Sequence, residues 1–499
     1  MKHLYSLSVI LSVFMSTILY AQDGAIDKSF GDNGTELTRL SQNSGNIQCT
    51  VVYPDGKIIS AGDNYMVRNK ADGTIDSSFG NNGKTYDGNR VVSAVTLQPD
   101  NKIVVSANYY KTVSEFAAIR YLPNGKADNS FGTNGIAGFP VSANSSGVGL
   151  QSDGKIIVSG TTIESNSKAV LVRFNINGSI DSTFGVNGLV TLKPAFYFHA
   201  VDIAIQSNNK IVMACNVQNA NGGASVYRFN ANGSIDSNFG TNGSAAAKQL
   251  FIGSPRRCIA IQADGKIAIA GGTNNDSTKF GVVRFLANGQ RDALFGNNGF
   301  VHASFGNWFA DVTGITLQQD GKLIAVGSIT DYHPGNFGFA AARFSSDGAL
   351  DESFGSDGKI SRMDNTFRIN ANAIALQPNG KIIIAGYVDS GNTNTPNRFS
   401  FVSRLNNGEA FALNNNILTA ALNSSIEIFP NPVKDVLHIT HVLPQSSIEV
   451  INNNGIIVIR NEKNISGEVT IPTAKLHPGI YTLRIINSRA IKSSRFTKL

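Results

Sequence analysis

At 499 residues the chain is too long for one hydrophobic core, so several domains or a repeat array are required. Fifty glycines, 15% charged residues and apolar positions rich in Ile, Val, Ala and Phe describe short strands joined by tight turns. Of the formal net charge of +7, residues 425–499 hold +4 and Lys2 another +1. The large middle portion therefore has no basic stripe to neutralise phosphates, which argues against nucleic acid as a partner.

The first 21 residues read as a secretory signal. Lys2 and His3 form a short basic start, residues 4–19 are an apolar run, and Leu19-Tyr20-Ala21 ends on a small residue suited to cleavage before Gln22. The run lacks basic stop-transfer flanking, so removal is expected rather than retention as an anchor. No later segment is apolar enough to span a bilayer.

From there the chain repeats. Asp-x-x-Phe-Gly-x-x-Gly occurs seven times, with its phenylalanine at Phe30, Phe79, Phe131, Phe184, Phe239, Phe295 and Phe354, at intervals growing from 49 to 59 residues. A second mark, Asp/Asn-Gly/Asn-Lys, starts at Asp55, Asp100, Asp153, Asn208, Asp264, Asp320 and Asn379. An arginine recurs at Arg68, Arg120, Arg173, Arg228, Arg284, Arg343 and Arg404.

One unit, taken from residue 188 to 240, predicts four strands: 189–192, 200–206, 210–215 and 225–230. The Asx-x-Lys mark falls between the second and third of these, where a tight hairpin needs residues that tolerate positive φ. Period and strand count match a propeller blade. The array starts at Asp23-Gly24-x-x-Asp27-x-x-Phe30-Gly31, the tail of a unit, and stops after Arg404-Leu405-Asn406-Asn407-Gly408 without its own Asp-x-x-Phe-Gly. An N-terminal piece that completes the last unit closes a ring without open sheet edges, so the expected fold is all-β: a seven-bladed β-propeller over residues 22–408, closed by its N-terminal segment.

In each internal unit an aspartate follows the arginine by eight residues: Arg68 and Asp76, Arg120 and Asp128, Arg173 and Asp181, Arg228 and Asp236, Arg284 and Asp292, Arg343 and Asp351. Such a pair can clasp the intervening loop by a charge-assisted hydrogen bond. Arg404 lacks that partner and is expected to meet Asp27 from the other end of the array.

The ordered motif set, Gly-Lys-Ile-Ile-Val-x-Gly, Arg-Phe/Tyr-x-x-x-Gly and Asp-x-x-Phe-Gly-x-x-Gly, resembles the delta-60 repeats found in tandem in exported bacterial proteins. That resemblance covers residues 23–408 and implies no established activity.

Residues 409–424 break the pattern and are expected to be a linker. Residues 425–499 predict a small Ig-like β-sandwich: Phe429-Pro430-Asn431-Pro432 near the start, strands at 436–439 and 448–451, an Asn454-Gly455 turn before 456–459, Gly479-Ile480-Tyr481, and a basic last strand from Ile491. In that order these motifs resemble the type A C-terminal sorting domain of the type IX secretion system of Bacteroidetes, although Thr497-Lys498-Leu499 departs from the usual lysine-rich ending. The resemblance implies passage through the outer membrane, recognition by the type IX machinery and later removal of the domain, with the propeller released or attached to the cell surface. An ordinary adhesion module is the plainer alternative.

Conspicuous polar residues repeated sevenfold behave as structural marks, whereas catalysis uses few and unrepeated groups. Oxygen donors are dense around Asp27 and its equivalents, which raises calcium as a ligand, but the motif lacks the spacing of a calcium loop; arginine pairing is the preferred reading and no cofactor is expected. Cys49, Cys215 and Cys258 show no metal spacing; buried thiols are the simpler reading and a Cys215–Cys258 bridge the sharper one. Among unrepeated residues, Trp308, Tyr332 and His333 are the candidate ligand-binding set, with His302, Asn307, Phe309 and Asp331 near them in sequence and Phe196, Tyr197, Phe198 and His199 as a rival cluster; such aromatics suit stacking on a sugar or peptide, or a partly buried aromatic patch. Three functions stay open: a secreted or surface binding module for a glycan or protein, a polysaccharide lyase or hydrolase, and a structural adhesion component. A paired set of acids confined to one or two blades would favour the enzyme, and the sequence shows none.

Overall fold

The computed structural model describes residues 23–40, 45–86, 88, 90–110, 114–164, 167–192, 197–218, 223–253, 257–273, 276–331, 337–364, 368–389, 398–407, 428–452, 457–486 and 491–499. The chain divides into two compact units, residues 1–409 and 410–499.

The first unit is a ring of seven antiparallel sheets. Blade 3 shows the plan: Ala143–Leu150, Ile156–Thr162, Ala169–Phe174 and Leu189–Leu192 pair in chain order. The first strands of all seven blades touch their neighbours in an unbroken circle, from Cys49–Val52 round to Arg368–Leu376 and back, so they line the axis. Every residue of Ile156–Thr162 and Ala169–Phe174 is buried, because the middle strands of a blade have a neighbouring blade on each face. That requirement explains runs of Ile, Val, Ala and Gly where a one-sided strand would alternate. The fourth strand is half-exposed and sits at the rim.

The last blade is composite. Arg368–Leu376, Ile382–Asp389 and Arg398–Leu405 are completed by Thr35–Thr38 from the chain start, with Leu37 opposite Phe401. Seven apolar clusters fill the seven junctions, and each contains one phenylalanine of the Asp-x-x-Phe-Gly motif, fully buried. Phe30 belongs to the cluster joining blade 7 to blade 1, with Ile58, Ile383 and Val402. The ring is therefore continuous in its core as well as in its hydrogen bonds.

The blade frame is shifted by one strand from the sequence unit: Leu189–Leu192, read as the first strand of a unit, is the outermost strand of the preceding blade. The motifs mark turns, and turns do not reveal which strand faces the axis. Blade 5 is irregular, its inner strand split into Leu250–Phe251 and Ile259–Ile261.

In the second unit five strands form one sheet. The predicted strands at 436–439 and 448–451 are parts of a single 17-residue strand, Val436–Asn452, paired with Ile457–Pro472 through several register shifts. These shifts let two long strands bend over one core of Val433, Leu437, Ile448, Val450, Leu483 and Phe496. The Asn454-Gly455 turn lies outside the described residues.

Candidate functional site

Because consecutive strands are antiparallel, the turns after the first and third strands of every blade lie at one end of the ring, and the other connections at the opposite end. At the first end the repeated polar residues meet. The arginine Nε lies 2.7–2.9 Å from the aspartate Oδ2 in all seven blades, with Arg404 and Asp27 forming the seventh pair at 2.7 Å. Each guanidinium also lies 4.1–4.8 Å from the ring centre of its blade's motif phenylalanine. Its Nη1 donates to a turn carbonyl of the next blade: Arg68 to Pro123, Arg120 to Ile176, Arg173 to Ala231, Arg228 to Ala287, Arg284 to Ser346, Arg343 to Asn407, and Arg404 back to Ala71. Every arginine thus pins its own loop and also staples its blade to the next.

Two further residues join this clasp that sequence reading did not single out. The lysine of the hairpin mark pairs with the same aspartate in six blades: Lys102, Lys155, Lys210, Lys266, Lys322 and Lys381. In two blades a glutamine two residues before the mark braces the arginine: Gln151 and Gln377 accept from Nη1 at 2.9 and 3.0 Å and donate to carbonyls of the next blade. The signal was present, since Gln98, Gln151, Gln206, Gln262, Gln318 and Gln377 share that offset. Burial alone would raise the aspartates, but hydrogen bonds from Ser130 and the Arg120 guanidinium hold Asp128 at about 2, and Asp27 and Asp181 lie lower still for the same kinds of reason. Oxygens committed to guanidinium and ammonium groups are poor calcium donors. Among the described residues no group of three or more His, Cys, Asp or Glu is placed to hold a metal ion.

The seam carries one more substitution. In six blades the amide of the Phe-Gly glycine donates to an Asp or Asn carbonyl in the next turn, as Gly31 does to Asp72 and Gly80 to Asn124. Gly355 of blade 6 donates instead to Asp23, while Gly24 and Asn406 complete the same turn through Gly24 N to Asn406 O and Asn406 N to Ala25 O. The chain thus enters and leaves the ring within one turn of blade 7, and Asp23-Gly24 supplies the Asx-Gly that the other six turns hold in continuous chain. Such turns need glycine: at Gly73, with φ of +93°, a Cβ would stand 2.7 Å from Phe30. Asp23 also lies 2.5 Å from Nη2 of the fully buried Arg343.

The unrepeated candidates separate. Trp308 lies in the connection from the outer strand of blade 5, Phe300–Ser304, to the inner strand of blade 6, Phe309–Leu317. It is half-buried against the apolar cluster of those blades and lines a rim groove of about 480 Å³ with Phe305, Ser304, Lys359, Ser361 and Asp23. Tyr332 and His333 lie outside the described residues, as does Phe196. His302 and Asn307 are exposed near Trp308, but His302 stands on the outer strand of blade 5, so the aromatic and histidine residues do not share one blade. None of the three cysteines forms a disulfide, so the Cys215–Cys258 bridge is absent; Cys215 and Cys258 are buried, which pushes both thiols up.

A second unrepeated pair stands in the channel. Aligned on the hairpin mark, one inner-strand column reads Cys49, Ala94, Gly147, Asp202, Cys258, Gly314 and Ala373, and the column before it reads Gln48, Ser93, Ser146, Val201, Arg257, Thr313 and Asn372. Each column holds one charged residue, and both line a cavity of about 50 Å³ on the ring axis. Asp202 Oδ2 accepts from the amides of Cys258 and Ile259 at 2.9 and 3.2 Å, and Oδ1 from that of Ile203 at 2.8 Å. Burial outweighs Arg257 and these amides and raises the carboxyl to about 7. A column comparison within the chain would have found Asp202, the one acid in otherwise small, neutral positions.

Residues 427–498 match the family described as a secretion system C-terminal sorting domain. Seven segments, 54–79, 98–131, 151–184, 206–239, 262–295, 318–354 and 377–407, match a β-propeller domain of unknown function, DUF5122. No curated protein sequence matches the chain. Among solved structures, similarity extends to PorZ, a surface component of the type IX secretion system of Porphyromonas gingivalis, at 13% identity and TM-score 0.33, over 96% of this chain and 60% of that one. The chain thus spans less than two thirds of that protein. Drosophila Semaphorin 1a extracellular domains give 9% and 0.41 over 75% and 88% of the two chains, and polysaccharide lyase Uly1 9% and 0.41 over 78% and 94%. Among the described residues no helix is long and apolar enough to cross a membrane. With seven β-propeller repeats ahead of a type IX sorting domain, the chain is a secreted or cell-surface β-propeller protein.

Proposed function

We propose that this is a binding protein, exported by the type IX system of a Bacteroidetes cell, whose propeller holds a glycan or protein ligand in the rim groove beside Trp308. In this reading the repeats are of the delta-60 kind, residues 1–21 are a removed signal, 22–408 the propeller, 409–424 a linker and 425–499 the domain that the secretion machinery recognises. Trp308 carries the proposal: the sole tryptophan stays half-exposed in a groove of about 480 Å³ edged by Lys359 and three serines. An indole face beside hydroxyls and an ammonium is a surface on which a sugar ring stacks and bonds.

The test is a glycan and peptide array probed with the exported protein and with Trp308→Ala, beside an activity screen on polysaccharides. Binding lost in the variant is the expected result. Turnover of a polysaccharide would replace the reading with an enzyme, and binding indifferent to Trp308 would move the site elsewhere.

A further inference from the structure

The sevenfold repeat provides its own control for finding function, because a charge present in one blade and absent from six equivalent positions is not needed to build a blade. Asp202 and Arg257 are such charges, on adjacent blades, facing one cavity on the ring axis. A buried carboxylate is costly wherever it stands. Six blades manage the same position with Cys, Ala or Gly.

Part of the role of Asp202 is structural. Blade 5 has a broken inner strand, and two buried side chains of blade 4 hold its pieces: Asn216 bonds the amide and carbonyl of Ile252, and Asp202 the amides of Cys258 and Ile259. Those bonds place Arg257 between the two pieces, its carbonyl accepting from Ile315 of blade 6 at 2.9 Å. Arg257 stands level with Ser146, Thr313 and Asn372, part-way along the inner strands of blades 3, 6 and 7. It is exposed there, and no hydrogen bond to its guanidinium is seen among the described residues. Several other polar groups of the cavity already have partners: Asn372 donates to Asn46 and Ile47, Ser146 bonds Ser159, Ser93 accepts from Ser145, and Thr50 donates to Ile59. The chamber has room for a few waters, the size of a carboxylate group and not of a sugar ring.

We propose that the axial cavity binds the carboxylate group of an anionic ligand, gripped by the Arg257 guanidinium beside Asp202. A planar guanidinium suits a carboxylate fork to fork. Asp202 then acts as a gate: ionised, it repels the incoming carboxylate, and protonated, it leaves Arg257 as the charge the ligand meets. The other titratable groups near Asp202 are the thiols of Cys258, which burial pushes well up, and Cys49, while His199 stands three residues earlier on its own strand, where burial disfavours its charged form. This site is independent of the rim groove.

Acetate, the bare group, tests the proposal by NMR titration or calorimetry on the whole exported chain at pH 5.5 and pH 8, with acetamide as the neutral control. Acetate is expected to bind about tenfold more tightly at the lower pH, a one-unit coupling between ligand and Asp202. Arg257→Gln, an exposed change that leaves the clasp intact, is expected to abolish binding. Asp202→Asn is expected to retain binding and lose the pH dependence; should that variant not fold, the wild-type pH pair and Arg257→Gln still decide. Glucuronate and N-acetylglycine then distinguish an acidic sugar from a peptide C-terminus. No acetate binding at pH 5.5, equal binding of acetamide, or binding unchanged in Arg257→Gln would each overturn the proposal. Loss of glycan binding in Trp308→Ala would not bear on it.

Discussion

The two ends of the ring are built under different rules. At the clasp end each blade repeats one solution, an arginine stacked on phenylalanine, paired with aspartate and donating into the next blade, and the chain ends themselves are recruited to keep the count at seven. At the opposite end the blades differ, and the unrepeated Trp308 stands there, while the unrepeated Asp202 and Arg257 line the axis between the two ends. Repetition marks what the ring needs to exist, and departure from it marks what this ring has added.

The largest effect is expected from breaking the composite blade. A chain lacking residues 23–38 loses the fourth strand of blade 7, Phe30 from the last junction and both seam aspartates. It should fail to give a cooperative thermal transition, whereas an intact two-state fold in calorimetry would show the seam to be dispensable.

Next is Arg343→Ala, which removes the cation of the buried Asp23 and leaves Asp351 with Lys322 alone. Stranding buried carboxylates costs about 3–5 kcal/mol, readable as a lowered denaturation midpoint. A loss under about 1 kcal/mol would say that the clasp is ornamental.

The clasp and the channel also titrate in opposite directions. Asp128 is lowered to about 2 by the clasp, so its stabilisation is complete above pH 4 and lost as pH falls through 2. Asp202 is raised to about 7, so its ionisation costs nothing below about pH 4, grows through neutrality and is complete above pH 7, at most on the order of 4 kcal/mol. Thermal stability should therefore peak in the mildly acid range. Asp202→Asn should flatten the alkaline side and leave the acid side alone; a curve unchanged by the substitution would remove Asp202 from the account.

The smallest effect belongs to the exposed pair Lys57–Asp55, which in blade 1 does not reach the clasp aspartate among the described residues. Lys57→Ala should shift stability by under about 1 kcal/mol, against a larger loss for Lys210→Ala, whose ammonium is 2.7 Å from the buried Asp236. Equal losses would erase the distinction between a turn contact and a clasp contact.

Much of this was readable before any coordinates. The period, four strands per unit, seven units and an N-terminal completion of the last blade follow from motif spacing, because each blade must solve the same local problem of turn conformation and two-faced burial. The eight-residue offset also announced the Arg–Asp pairs, being a contact within one loop. What spacing could not give were relations across blades: that Gln151 and Gln377 brace their arginines, that Asp23 rather than a residue after Asn407 answers Gly355, and that Asp202 and Arg257, 55 residues apart, share one cavity. These contacts are set by the radius and closure of the ring, a property of seven packed interfaces together that no single repeat contains.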